Sequence, residues 1–208
     1  MRIQILTDNP SSWIISYAEQ LIFQLKNLGH QVSHLYNHDE VCEGDILCLL
    51  SCEKKFKELN LNKFNLVVHE SALPRGKGWS PLTWQVLEGK SEIPITLFEA
   101  TDEIDGGKIY LIKNINLDGS ELVDELREKQ GQGTIDVILD FVNNFSQITG
   151  IEQNGDSSYY PKRTAKDSEL DIDKSIAEQF NLLRVCDNER YPAYFFKNGI
   201  KYFLKIYK

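Results

Sequence analysis

His69 closes an apolar run, Phe64 to His69, that reads as a buried strand. In an open parallel sheet ligands collect beyond the carboxyl ends of the strands, so this histidine is placed for chemistry by topology alone. An imidazole, with an unperturbed pKa of about 6.5, can take and return a proton near neutrality. A histidine that merely caps a strand has the same pattern. Asp105 heads the segment Asp105-Gly106-Gly107, where Asp-Gly by itself suits a tight turn. Arg75, Lys77 and Trp79 follow Pro74 in a loop that can meet phosphate or sugar or simply be solvated. Tyr159, Tyr160 and Arg163 can stack on a base or bind phosphate, or the tyrosines can anchor a linker to the core. The four cysteines, at 42, 48, 52 and 186, read as reduced core thiols, because no histidine or further cysteine is spaced to complete a zinc site.

The elements that must position these residues alternate strand and helix. Arg2 to Leu6 reads as a first strand. Ser11 and Ser12 stand where they can cap a helix from about Trp13 to Leu28, ended by Gly29. Gln31 to Tyr36 and Asp45 to Leu50 read as the next strands, the latter apolar throughout as a doubly covered parallel strand requires. A helix is expected over Pro81 to Leu87, and two strands over Ile93 to Phe98 and Lys108 to Lys113. Asp118 to Phe145 reads as helix, broken around Gly131-Gln132-Gly133, with capping-box spacing between Asp118 and Glu121. The polar stretch 146–161 is expected to be a linker or surface loop, followed by a helix over Asp173 to Val185. A hairpin over Tyr191 to Ile206 should turn at Asn198-Gly199 in type I′ geometry. The expected fold is α/β, a Rossmann-like open and mostly parallel twisted sheet with helices on both faces, plus a small C-terminal helix and hairpin. The division is a domain over 1–150 and an appendage over 151–208.

The segment His69-Glu70-Ser71-Ala72-Leu73-Pro74, then Gly76 to Gly78, Pro81, Gly89, Ile95-Thr96 and Asp105-Gly106-Gly107-Lys108-Ile109, resembles the folate-dependent formyltransferases. Their hallmark is N-x-H-x-S-L-L-P followed by D-x-G-x-I, and the 36 residues from His69 to Asp105 match that spacing. The resemblance implies N10-formyltetrahydrofolate as co-substrate, His69 as general acid/base and Asp105 as the carboxylate that positions and polarises it. It also implies that Leu49, Leu50 and Ser51 surround the pterin and that Ser71 belongs to the donor site, although Leu49 to Cys52 reads equally well as a core strand end. One departure stands out. The family's asparagine two residues before the histidine, an oxyanion donor, is Val67 here. Asn9, or Asn65 re-aimed by a bulge, are the candidate replacements.

The formal net charge of −8 argues against a nucleic-acid partner held by counterion release. No apolar stretch approaches a membrane span, and the N-terminal run is too short for a signal peptide, so a soluble, cytoplasmic protein is expected. Tyr159 to Thr164, Leu183-Arg184 and Tyr191-Pro192-Ala193 resemble formyltransferases acting on nucleotide-linked amino sugars. Residues 151–208 carry 10 Lys/Arg against 9 Asp/Glu, unlike the basic module of the tRNA enzymes. The expected acceptor is therefore the primary amine of a nucleotide sugar, in surface-polysaccharide assembly, with Asn9, Arg75, Lys77, Trp79, Tyr159, Tyr160 and Arg163 as candidate contacts. Another small amine or aminoacyl acceptor, or a catalytically impaired folate- or sugar-binding relative, are the alternatives. The apolar hairpin residues Phe195, Phe196, Phe203 and Ile206 suit packing on a second subunit, as a homodimer, or on their own core.

Overall fold

Strands with two apolar faces need cover on both sides, and the chain supplies it unequally. A computed structural model describes residues 1–208. Its elements are β1 (Arg2–Leu6), α1 (Ile15–Asn27), β2 (Gln31–Leu35), β3 (Gly44–Leu49), β4 (Asn62–His69), β5 (Lys77–Gly78), α2 (Pro81–Leu87), β6 (Glu92–Glu99) and β7 (Ile109–Asn116). They continue with α3 (Val123–Asn144), β8 (Tyr159–Tyr160), α4 (Phe180–Arg184), β9 (Ala193–Lys197) and β10 (Ile200–Leu204). Six strands form one sheet in the order β2-β1-β3-β4-β6-β7. The first four are parallel, and β6 runs antiparallel to both of its neighbours, β4 and β7. Ile3, Ile5, Ile46, Cys48 and Leu66 bury one face against α1 and α3. The opposite face, with Leu6, Leu47 and Leu49, carries no full helix. Short 3-10 turns at His38–Glu40 and Leu59–Leu61, with Phe56, cover it instead. The β2–β3 and β3–β4 connections are too short to hold a crossover helix of several turns.

Four local expectations change. Neither Ser11 nor Ser12 caps α1, which begins at Ile15 with no side-chain cap. Ser11 gives its backbone N–H to Asn9 Oδ1 instead. α3 runs unbroken through Gly131 and Gly133, because a side chain at 131 would stand 2.4 Å from the Tyr17 ring of α1. Glycine there lets two helices approach. Its helix-weakening cost of about 1 kcal/mol is overridden by tertiary packing. Glu121 does not cap that helix; it accepts the N–H groups of Asp118 and Gly119, and Glu125 accepts that of Leu122. The expected helix over Asp173 to Val185 is realised only at Phe180–Arg184. Gln179 explains this, since its side chain bonds both the N–H and the carbonyl of Asp171 and keeps that segment in turns.

The hairpin β9–β10 forms as expected, with positive φ at Asn198 and Gly199. The end of the polar stretch is a strand rather than a loop. β8 pairs in parallel with β5, Lys77 opposite Tyr159 and Gly78 opposite Tyr160. The C-terminal segment is thereby docked beside the loop that follows His69. Arg184 to Glu121 (3.2 Å) and Arg127 to Asp187 (2.7 Å) fix it to the start of α3. No helix is long and apolar enough to cross a membrane.

Candidate active site

Beyond the carboxyl ends of β3 and β4 lies a cleft of about 720 Å³. One half is walled by Leu49, Leu50, Phe56, Val67, Phe98 and Ala100; the other by Leu126, Gln130 and Thr134 of α3 together with Lys162, Arg163, Arg190 and Tyr191. Ser51, Ser80 and Asp105, three of the four non-glycine residues with positive φ, all line it. Such strain costs roughly 1–3 kcal/mol per residue and persists where the surroundings over-determine it, commonly at functional sites.

His69 is buried at the strand end, and its Nε2 lies 2.7 Å from the Gly76 carbonyl. A carbonyl only accepts, so Nε2 carries the hydrogen and donates it, leaving the Nδ1 lone pair with no protein partner. Asp105 Oδ2 stands 4.0 Å from the same Nε2 and accepts the Gly78 N–H at 2.8 Å. Gln153 Nε2 holds the Asp105 carbonyl at 2.8 Å. The double glycine after Asp105 has a steric cause. A side chain at Gly107 would lie 1.7 Å from the Glu99 carbonyl oxygen, so only glycine lets this loop fold back onto β6. A histidine with a free Nδ1 lone pair and a carboxylate close to its ring can move a proton at Nδ1.

Next to His69, Glu70 is buried and also lines the cleft. Burial pushes its carboxyl pKa up, while His69 and the Gln130 amide favour the charged form. Burial pushes the Cys48 and Cys52 thiols up to about 12, which keeps both away from the thiolate form.

Among the expected site residues the cleft gathers His69, Asp105, Leu49, Leu50, Ser51, Asn9, Trp79 and Arg163. It does not gather the others. Ser71 is buried beneath the Gly76 turn with its hydroxyl unpartnered. Arg75 is exposed away from the cleft. Lys77 is buried and paired with Glu103 at 2.8 Å. Tyr159 points outward, and Tyr160 stacks on Trp84 and bonds Glu88. Tyr160 therefore acts as the anchor of β8. Asn65 does not replace the asparagine absent at Val67. The register Leu47–Asn65, Cys48–Leu66, Leu49–Val67 is unbroken, so no bulge re-aims it, and its amide donates to the Leu59 carbonyl. Asn9 lines the cleft with its amide given to Glu53. Glu70, Gln130, Arg127, Lys162 and Arg190 were not anticipated. A carboxylate at the end of an apolar strand was the one signal that pointed to Glu70.

The apolar half fits a flat heterocycle with polar edges. The backbone N–H groups of Ser51 and Cys52, at its rim, make no hydrogen bond within the protein. Asp8 pins the following turn by accepting the N–H groups of Glu53 and Lys54 at 2.8 and 2.9 Å.

The cleft at the strand ends of this α/β sheet, with His69 and Asp105 in its lining, is the candidate active site. A formyl transferase family model matches residues 45–139. The methionyl-tRNA formyltransferase of Thermosipho melanesiensis is 30% identical over 167 residues, 80% of this chain and 54% of that protein. The chain spans about half the length of the curated relatives it matches. Among solved structures, Aquifex aeolicus HypX in complex with tetrahydrofolic acid superposes with a TM-score of 0.83 at 18% identity, over 99% of this chain and 37% of that one. A 4-N formyltransferase from Francisella tularensis superposes at 0.73 with 18% identity, over 99% and 96%. These matches support a place for the chain in the folate-dependent formyltransferase family.

Proposed function

We propose that this chain transfers a formyl group from N10-formyltetrahydrofolate to the primary amine of a nucleotide-linked amino sugar. The observation that carries the acceptor class is the second half of the cleft. The C-terminal segment folds over it, so that Lys162, Arg163, Arg190 and Tyr191 enclose a site of small-molecule size. Lys162 Nζ sits 4.2 Å from the centre of the Trp79 ring, and Arg163 Nε is buried without a partner. Aromatic faces and a few guanidinium groups suit a base and a diphosphate. A net charge of −8 disfavours a tRNA surface, the acceptor in the names of the curated relatives.

The donor, held against Leu49, Val67 and Phe98, supplies an activated one-carbon carbonyl. The chain's own residues do the rest. His69 Nδ1 takes a proton from the amine as it attacks and returns one to the departing nitrogen. Gly76 holds the Nε2–H, and Asp105 stabilises the charged ring. Incubation with N10-formyltetrahydrofolate and a panel of UDP- and dTDP-linked amino sugars should release tetrahydrofolate and yield a formylated sugar, read by mass. Absence of turnover across the panel, with methionyl-tRNA formylated instead, would overturn this reading.

A further inference from the structure

Buried carboxylates elsewhere in the molecule have partners. Glu121 meets Arg184 and Lys129, and Glu99 accepts from the Asn65 N–H and the Tyr110 hydroxyl. Glu70 has no ion pair, although it is buried and lines the cleft one residue from His69. Its neighbours are His69 and Asp105 at the strand end and the neutral Gln130 amide on α3; Arg127, one helical turn away, is engaged by Asp187. Glu70 follows the last residue of β4, and its hydrogen bond with the Gln130 amide places its carboxyl against α3. A buried carboxylate without a cation costs several kcal/mol, on the order of a buried ion pair's desolvation, unless something supplies the charge.

We infer that Glu70 receives the acceptor's amine as an ammonium group and takes its first proton, which makes Glu70 a second catalytic residue. This rests on the amine-formylation reading above. A primary amine is protonated at neutral pH and has no lone pair for attack. Glu70 carboxylate accepts one proton from the R–NH3⁺ group and becomes the carboxylic acid, leaving R–NH2. The nitrogen lone pair forms the new bond to the formyl carbon, the bond from that carbon to N10 breaks, and the second amine proton travels through His69 Nδ1 to N10. The proton on Glu70 leaves to solvent with the product, so one proton is released per turnover. Burial and the charge of Asp105 raise the proton affinity of Glu70, which suits it to draw a proton from an ammonium.

The test uses the full chain as wild type, Glu70→Gln and Glu70→Asp, with UDP- and dTDP-linked amino sugars and their hydroxyl counterparts. Calorimetry gives the amine-over-hydroxyl preference, and kcat/KM is followed from about pH 6 to 9, below the ordinary range of a primary amine. Glu70→Gln should abolish the preference and lower kcat/KM at neutral pH by roughly 10²-fold or more. Its kcat/KM should then climb about tenfold per pH unit as free amine accumulates, where the wild type stays flat. Glu70→Asp should recover part of both. A folded Glu70→Gln enzyme with wild-type preference and pH profile overturns the assignment while leaving the reaction intact. A wild type that formylates none of the panel removes the acceptor class, and the Glu70 assignment with it.

Discussion

Val67 offers the sharpest test of how this site works, because it stands where the formyltransferases that the chain resembles carry an asparagine. Its side chain lines the cleft on the same face of β4 as His69, two strand steps back, roughly 6.6–6.8 Å along the chain. Its cross-strand neighbours are Leu49 and Phe98. Val67→Asn would place an amide N–H on that wall. A single oxyanion donor is worth about 10²–10³ in kcat, or roughly 2.7–4 kcal/mol. Against this stand lost apolar burial of a half-buried valine, on the order of 1 kcal/mol, and a lower strand propensity of up to about 1 kcal/mol. Both losses fall on stability rather than on the reaction. The expected result is a kcat higher by about tenfold or more, with about 10³ as the ceiling, and a Tm lower by a few degrees. Single-turnover tetrahydrofolate release measures the first and a melting curve the second, with Val67→Leu as the volume control. A folded Val67→Asn enzyme with unchanged or lower kcat would refute the idea that the oxyanion lacks a side-chain donor at this wall.

Three further outcomes are expected. His69→Asn should lower kcat by about 10²–10⁴ while leaving folate binding intact by calorimetry; Asp105→Asn should fall between that variant and wild type, and equal activity in all three would remove the proton-transfer assignment. Gly131→Ala should destabilise the fold by roughly 1–3 kcal/mol in urea, because its methyl meets the Tyr17 ring. Adding Tyr17→Ala should recover part of that loss, and independent, additive effects would count against the contact. Burial raises the Glu121 carboxyl, but hydrogen bonds from Lys129, Asp118 and Gly119 outweigh it and bring it to about 2. A depressed folded pKa means stability that is present above the unfolded value, near 4.5, and lost as pH falls toward 2. The contribution is about 3 kcal/mol, so urea unfolding at pH 7 and pH 3 should differ less in Glu121→Gln than in wild type; an unchanged difference would place the acid sensitivity elsewhere.

The strands and the strand-end histidine were legible because apolar runs and their ends are local. Asp105 was legible only through the resemblance and its spacing from His69, since Asp-Gly alone reads as a turn; the close pass of its glycines to β6 shows only in the fold. What failed was tertiary. Gly131 and Gly133 read as a helix break, since propensity has no knowledge of the Tyr17 ring that needs the space. Lys77 read as a solvated or phosphate-seeking cation, since nothing in the sequence shows that β8 returns to pair with β5 and bury it. The same return puts Tyr160 against Trp84 and Glu88 as an anchor and leaves Tyr159 exposed outside the cleft.

That return also bears on how the two halves of the cleft are joined. β5 directly follows the Gly76 carbonyl that fixes His69 Nε2, and Gly78, its last residue, donates to Asp105. β8, paired with β5, leads straight into Lys162 and Arg163, which line the cleft. A ligand that drew Lys162 and Arg163 inward would pull on a strand paired with β5, whose flanking Gly76 carbonyl and Gly78 N–H bond His69 and Asp105. Replacing Gly78 would strike at this link without touching the chemistry, because its N–H is the bond to Asp105 and an added methyl would lie 2.5 Å from the Tyr160 carbonyl. Gly78→Ala is thus expected to lower kcat and weaken nucleotide-sugar binding together, whereas Asp105→Asn should lower kcat with little change in that binding. Equal binding of the sugar by both variants would show that the two halves work independently.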